Sequence, residues 1–157
     1  MPGEVPGSAG GRSEVRWYEL LPESKTARQQ GVASSPIHSV FNGAMSPTKK
    51  GNEAAIFYNL ASSSQVPQIA ARTRRSSTTL GQISGETIIG TSEDSLECGG
   101  ATDVDPCRWG DYSAASPDPR NAHAVWGTNE LAGPRTTTSY NWKSRNFAVS
   151  VKRRALR

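Results

Sequence analysis

The 157-residue chain lacks most of the features that identify enzymes and membrane proteins. Hydrophobic residues make up only 34% of the chain, which is below the usual share for a globular domain. No apolar run approaches the roughly 18 residues that span a bilayer, so the sequence predicts no transmembrane segment. The motifs GxSxG, HExxH and GxxxxGK[ST] are also absent, so the most recognisable signatures of serine hydrolases, zinc proteases and P-loop nucleotide-binding proteins are missing.

Cysteine and histidine are scarce. Cys98 and Cys107 enclose the short loop GGATDVDP, and the two histidines, His38 and His123, lie far from them in sequence. Two cysteines cannot complete a four-ligand zinc site, and their spacing differs from that of a CxxC redox pair. We therefore expect a disulfide that closes this loop, with free thiols as the alternative. A disulfide of this size would contribute roughly 2–3 kcal/mol and would imply an oxidising compartment.

Positive charge is in modest excess, with a formal net charge of +4. Three arginines cluster at Arg72, Arg74 and Arg75, and four more basic residues lie in the tail 152–157. A basic cluster attracts phosphate, but the aromatic residues that interleave with the charges of single-strand binders are missing here. We expect these charges to be solvated, and we keep nucleic-acid association as the third functional hypothesis.

Glycine, proline, serine and threonine are abundant, with 15 glycines and 10 prolines. This composition suits short strands joined by turns rather than long helices, although it also fits disorder. Alternating or continuous apolar patterns predict strands near residues 15–20, 28–33, 41–46, 54–61, 68–74, 79–91, 109–116, 123–131 and 141–151.

The strand at 54–61 carries the clearest pattern, because both its even and its odd positions are mostly apolar, with Asn59 as the exception. Such a strand is buried between two layers. The chain places this buried strand after a strand of small residues and a Ser-Pro turn. The same sequence of elements, a small-residue strand, a Ser-Pro turn and a buried strand, recurs near residues 109–131. The two turns are SPTKKGN at 46–52 and SPDPRNA at 116–122. A four-stranded period of roughly 60 residues is typical of a propeller blade.

Several strings strengthen this interpretation. Four strings follow one another along the chain, namely RWYEL at 16–20, GNEAAIFY at 51–58, RWGDYS at 108–113 and VWGTNE at 125–130. Together they resemble the terminal blades of a family of exported bacterial β-propeller proteins, often described as BNR-repeat or sialidase-like. The resemblance covers roughly residues 14–151.

The resemblance implies an all-β fold, a partial β-propeller of about two four-stranded antiparallel blades plus part of a third. The first residues lack the apolar core of a signal peptide, so we expect a C-terminal fragment of a protein that is extracellular or at the cell surface. Open blade faces and unpaired edges predict association with the remaining blades or with copies of the chain. The expected units are a flexible lead at 1–12, the end of a blade at 13–36, a full blade at 37–92, a last incomplete blade at 108–151 and a basic tail at 152–157.

The function most consistent with this resemblance is a non-catalytic module that binds glycan, protein or cell-surface material. The candidate binding residues are Arg108, Trp109, Asp111, Tyr112, Trp126 and Glu130. The alternative is the remnant of a sialidase-like glycoside hydrolase, whose tyrosine, glutamate and arginines would have to be drawn from Tyr112, Glu130, Arg72, Arg108 and Arg145. The repeated SxDxGxTW turn of that family is absent.

The individual roles stay open at this point. Asp111 fits a catalytic acid or a metal ligand, but we favour hydrogen bonds to backbone amides. The tryptophans at 109, 126 and 142 could stack on a sugar, but we favour packing. Asp103 and Asp105 offer a weak calcium site, because two carboxylates are too few for the 6–8 oxygen ligands of calcium. We otherwise expect no cofactor.

Overall fold

A computed structural model describes residues 11–95, 109–134 and 141–151. These residues form strands and turns without a helix, so they contain no helix that could cross a membrane. Their nine strands are β1 (Val15–Leu21), β2 (Thr26–Ala33), β3 (Ser39–Pro47), β4 (Ala54–Ser62), β5 (Gln65–Arg74), β6 (Thr87–Thr91), β7 (Ala114–Pro117), β8 (Ala124–Ala132) and β9 (Trp142–Ser150).

The strands form three antiparallel sheets, and every hydrogen-bonded neighbour is also the next strand along the chain. The first sheet is the hairpin β1–β2, the middle sheet has the order β3–β4–β5–β6, and the last sheet has the order β7–β8–β9. Such meanders follow from short turns, since consecutive antiparallel strands need only a few connecting residues. The all-β fold expected from composition is therefore confirmed.

The middle sheet is covered on both faces, as the apolar pattern of residues 54–61 predicts. Ile56, Tyr58 and Leu60 on one face pack with Trp17 and Ala33 of the first sheet. The opposite face of β4 and β5 packs against the last sheet, in a core of Ala55, Phe57, Ile69, Ala71, Val125, Leu131, Phe147 and Val151. Alternation along each strand thus supplies two separate cores from one sheet.

Two predicted strands are shorter than the sequence pattern indicates. Residues 79–91 yield only β6 (Thr87–Thr91), because the chain turns at Gly81 with φ 78° and the amide of Gln82 donates to the carbonyl of Thr79. Residues 109–116 yield only β7 (Ala114–Pro117). The residues before β7 contact β3 and β8 through side chains instead of continuing the sheet.

No sheet closes on itself among the described residues, so the partial propeller stays a prediction. The expected disulfide between Cys98 and Cys107 lies outside the described residues, as does the basic tail 152–157.

Gly127 offers a direct test of the packing between the middle and last sheets. A Cβ atom at this position would meet rings of Phe57 at 2.5 Å and Phe147 at 2.6 Å, and those rings already pack edge to face with centroids 4.9 Å apart. We expect Gly127→Ala to lower the free energy of unfolding by about 1–3 kcal/mol, because both rings must shift. Urea unfolding measures this loss. Gly85→Ala is the control, since its Cβ would meet nothing within 4 Å; equal losses in the two variants would contradict the packing.

Candidate functional site

The candidate residues before β7 lie at the junction of the middle and last sheets. Arg108 lies outside the described residues. The ring of Trp109 is half-buried and packs edge to face on Phe41 of β3, with centroids 5.7 Å apart and planes at 87°. This geometry is the usual one for an aromatic packing pair. Trp109 thus joins β3 to the segment that precedes β7.

Glu130 and Gly110 form the polar part of this junction. The backbone amide of Gly110 donates to Oε2 of Glu130 over 2.9 Å, and its carbonyl accepts from Nδ2 of Asn42 over 2.6 Å. Burial raises the pKa of the Glu130 carboxyl, and the hydrogen bond from Gly110 opposes that rise. The carboxylate therefore holds the chain in place before β7, in a side chain that is partly buried.

Three asparagines extend this network, although the sequence reasoning did not single them out as functional. Nδ2 of Asn129 donates to the carbonyl of Asn42 over 3.0 Å and to Oδ1 of Asn59 over 3.1 Å. Nδ2 of Asn59 donates to the carbonyl of Glu130 over 2.9 Å. Asn59 and Asn129 are buried, and buried amides need such partners. The sequence feature that could have indicated this network is Asn59 itself, because it is the one polar residue in the apolar run of β4.

The remaining candidate residues face outward. Tyr112 is 89% exposed, and Asp111 is also exposed. Trp126 is 45% exposed, and its indole N–H donates to Oδ2 of Asp118 over 2.9 Å. Backbone amides of the turn after β7 also donate to Asp118 and are the main cause of its lowered pKa. Trp126 is therefore tied to this turn.

Two of the three arginines considered for a sialidase-like site, Arg72 and Arg145, lie within the described residues and are separated by the middle sheet. Arg72 lies on the face toward the first sheet, where its guanidinium is 3.5 Å from Oε2 of Glu86. The hydroxyl of Tyr58, from the core on that same face, donates to Glu86 over 2.5 Å. The side chain of Arg145 lies on the opposite face, beside Leu131 and near Gly90. These two arginines cannot grip one carboxylate in this arrangement.

A cleft of about 570 Å³ lies between the first hairpin and the middle sheet. Residues of β1, the end of β3, the following turn and the end of β5 line it. Along β1 the lining includes consecutive residues, namely Val15, Arg16, Trp17, Tyr18 and Glu19. Arg28 and Gln29 of β2 also line the cleft, so both strands of the hairpin border it. Sequence reasoning missed this cleft, because no motif marks the place where a hairpin meets a neighbouring sheet.

The charged lining of the cleft is mainly basic. Four arginines and two glutamates line it, a formal balance of +2, from Arg16, Arg28, Arg74, Arg75, Glu19 and Glu53. Glu19 accepts hydrogen bonds from Gln29 and Arg28, and these, with Gln29 the larger cause, lower the pKa of Glu19. Arg28 pairs with Glu19 over 2.9 Å and Arg16 pairs with Glu14 over 2.8 Å, so most of these charges already have a partner within the protein.

Arg74 corrects the expectation of solvated charge. Its side chain is buried, and Nη1 donates to the carbonyls of Thr78, Thr79 and Gln82 over 2.9–3.2 Å. A buried guanidinium needs such acceptors. The prediction is wrong for Arg74, because the loop after β5 turns back and places its carbonyls around the guanidinium.

The weak calcium site at Asp103 and Asp105 lies outside the described residues. In the part of the chain that the structure describes, no group of three or more His, Cys, Asp or Glu side chains is arranged to hold a metal ion. The sequence matches no protein-family model, and no curated protein or solved structure is significantly similar to it. The propeller resemblance is therefore an expectation that rests on the sequence strings alone.

The raised pKa of Glu130 makes a prediction for stability. The Glu130 carboxyl keeps its proton to higher pH in the folded protein than in the unfolded chain. Its protonated form therefore adds to the free energy of unfolding below the usual pKa of 4.5, and this contribution is lost as the pH rises through the pKa of the folded state. We expect Glu130→Gln to remove this loss. Urea unfolding of both proteins from about pH 4 to neutral pH measures it. The assignment would be contradicted if the free energy of unfolding of wild type, relative to that of Glu130→Gln, stayed constant or increased as the pH rises.

Proposed function

We propose that this chain is a non-catalytic binding module whose recognition site is the cleft between the first hairpin and the middle sheet. The observation that carries the proposal is the cleft itself, which at about 570 Å³ has the size of a typical ligand site. Its lining combines apolar groups such as Met45 and Ile56 with several arginines. A mixed lining of this kind orients a ligand through a few polar groups while apolar contacts supply affinity.

The arrangement of the sialidase-like candidates supports a function without catalysis. A nucleophilic tyrosine requires a neighbouring base and a held substrate, but Tyr112 is almost fully exposed. Glu130 accepts a backbone hydrogen bond at a sheet junction. Of the arginines considered for that site, the two that lie within the described residues, Arg72 and Arg145, lie on opposite faces of the middle sheet.

The parent protein is, in the same proposal, an exported β-propeller that acts outside the cell or at its surface. The four-stranded meander β3–β6, packed face to face with a sheet on each side, supports this, because blades stack in that way. Glycans and cell-surface proteins are the partners such a location offers.

A two-dimensional amide NMR titration of the full chain tests the proposal. The probes are a chito-oligosaccharide, sialyllactose and a hexapeptide Thr-Val-Glu-Val-Glu-Thr. We expect at least one probe to shift the amide signals of cleft residues such as Tyr18, Arg28 and Ser76, while signals of β9 stay unchanged. Shifts confined to the exposed face around Trp126, or no shift with any probe, would contradict the cleft as the site. Hydrolysis of a fluorogenic sialoside would contradict the absence of catalysis.

A further inference from the structure

We propose that Asn42 and Gly43 form a site of spontaneous deamidation, which hydrogen bonds across the junction of the middle and last sheets keep unreactive and whose product loosens that junction. Three features of the molecule support this site, namely the chemistry of the dipeptide, the packing that requires it, and the two hydrogen bonds that restrain it. The proposal goes beyond the binding function and does not depend on what the cleft binds.

Asparagine followed by glycine occurs once in the chain, at residues 42 and 43. In the reaction the backbone nitrogen of Gly43 attacks the side-chain carbonyl carbon Cγ of Asn42. The new N–Cγ bond closes a five-membered succinimide, the Cγ–Nδ2 bond breaks, and Nδ2 leaves as ammonia with the proton that the Gly43 amide loses. Water then opens the ring and leaves aspartate or isoaspartate. Glycine favours ring closure, because it has no Cβ atom to crowd the attacking nitrogen.

The fold requires both residues at this point of β3. Asn42 has a φ of 52°, in the left-handed region that asparagine adopts more readily than most residues. A Cβ atom on Gly43 would collide with Cγ1 of Val15, so no larger residue fits there without moving β1. The register of β3 with β4 shifts between Phe41 and Ala44, which places both residues in a bulge. Packing therefore keeps a dipeptide that is chemically labile.

Two hydrogen bonds restrain the groups that react. Nδ2 of Asn42 donates to the carbonyl of Gly110 over 2.6 Å, which fixes the direction of the side-chain amide. The carbonyl of Asn42 accepts from Nδ2 of Asn129 over 3.0 Å, which fixes the plane of the peptide that contains the Gly43 nitrogen. Ring closure rotates both groups, so both bonds must break first. Because Asn129 is buried between the sheets, this happens when the junction opens locally.

The product cannot rebuild the junction. Aspartate at position 42 would place a carboxylate oxygen where Nδ2 now lies, 2.6 Å from the carbonyl oxygen of Gly110, and neither oxygen carries a proton to share. Isoaspartate would add a methylene group to the main chain of β3 and move the carbonyl that Asn129 binds. In both products the segment before β7 loses a contact with β3, so the reaction acts in one direction.

Peptide mapping by mass spectrometry measures the reaction in the full chain. The protein is incubated in mildly alkaline buffer, native in one sample and unfolded in guanidinium chloride in the other. We expect residue 42 to deamidate at least about tenfold more slowly in the native sample, because only the opened junction reacts. Equal rates at residue 42 in the two samples would overturn the restraint.

Asn121 is the internal control in the same samples. It is exposed and precedes alanine, whose Cβ atom hinders ring closure. We therefore expect it to react more slowly than residue 42 in the unfolded sample. If residue 42 reacts no faster than Asn121 there, the assignment of the site is overturned.

Gly110→Ala tests whether the junction is the restraint. Its new Cβ atom would collide with Oε2 of Glu130, which displaces the carbonyl that holds Asn42. We expect deamidation of residue 42 in the native variant to accelerate by roughly fivefold or more, the factor that one lost hydrogen bond represents. Gly85→Ala is the matched control, since its Cβ atom meets nothing within 4 Å, and its rate should equal that of wild type. Equal rates in the two variants would overturn the restraint.

Trp109→Ala loosens the same segment without adding an atom. It removes the ring that packs on Phe41, and it serves as the test if circular dichroism shows that Gly110→Ala does not fold. We again expect faster deamidation of residue 42 in the native state, and a rate equal to that of wild type would overturn the restraint.

Asn42→Asp reproduces one product and tests its consequence. We expect the amide of Gly110, which donates to Glu130 in the native protein, to exchange with solvent at least about fivefold faster than in wild type, because the segment has lost its bond to β3. Asn121→Asp is the control, since it adds the same charge and keeps the oxygen that accepts from the amide of His123. Exchange that is unchanged in Asn42→Asp, or equally fast in both variants, would overturn the loosening.

Discussion

The structure depends on one strand that is buried on both faces. From Ala55 to Leu60, every residue of β4 is fully buried or nearly so, and its alternate side chains belong to two different cores. Burying that much apolar surface is the main favourable contribution in a chain that is poor in hydrophobic residues. It requires a sheet on each side, so the hairpin and the last sheet are held in place by β4 and β5.

Polar groups make the contacts between sheets specific. Asn59 in β4 and Asn129 in β8 hydrogen-bond each other within the packed junction, and Glu130 holds the segment before β7. Burying these groups without partners would be costly, so the hydrogen bonds that they make favour this arrangement of the sheets. On the other side of the middle sheet, Arg74 plays the same part for the loop after β5.

Local pattern predicted a large part of this fold. The double apolar periodicity of residues 54–61 identified the central strand, and the alternation of Phe147, Val149 and Val151 identified the core face of β9. Two other strands are shorter than predicted because of glycines and side-chain contacts. Neither effect shows in the periodicity of the sequence, so the pattern could not predict it. The candidate site was less accessible to sequence reasoning. Glu130 was singled out, but the asparagine network and the cleft arise from contacts between residues far apart in the chain, such as Asn42 with Asn129.

Native-state amide hydrogen exchange tests the central position of β4 most directly. If β4 is the strand on which both flanking sheets depend, its amides from Phe57 to Leu60 exchange only through global unfolding, with the full free energy of unfolding. Amides of β7, an edge strand with mostly exposed residues, exchange through local opening at much lower free energy. Exchange of the β4 amides as fast as those of β7, with no dependence on global stability, would contradict the account.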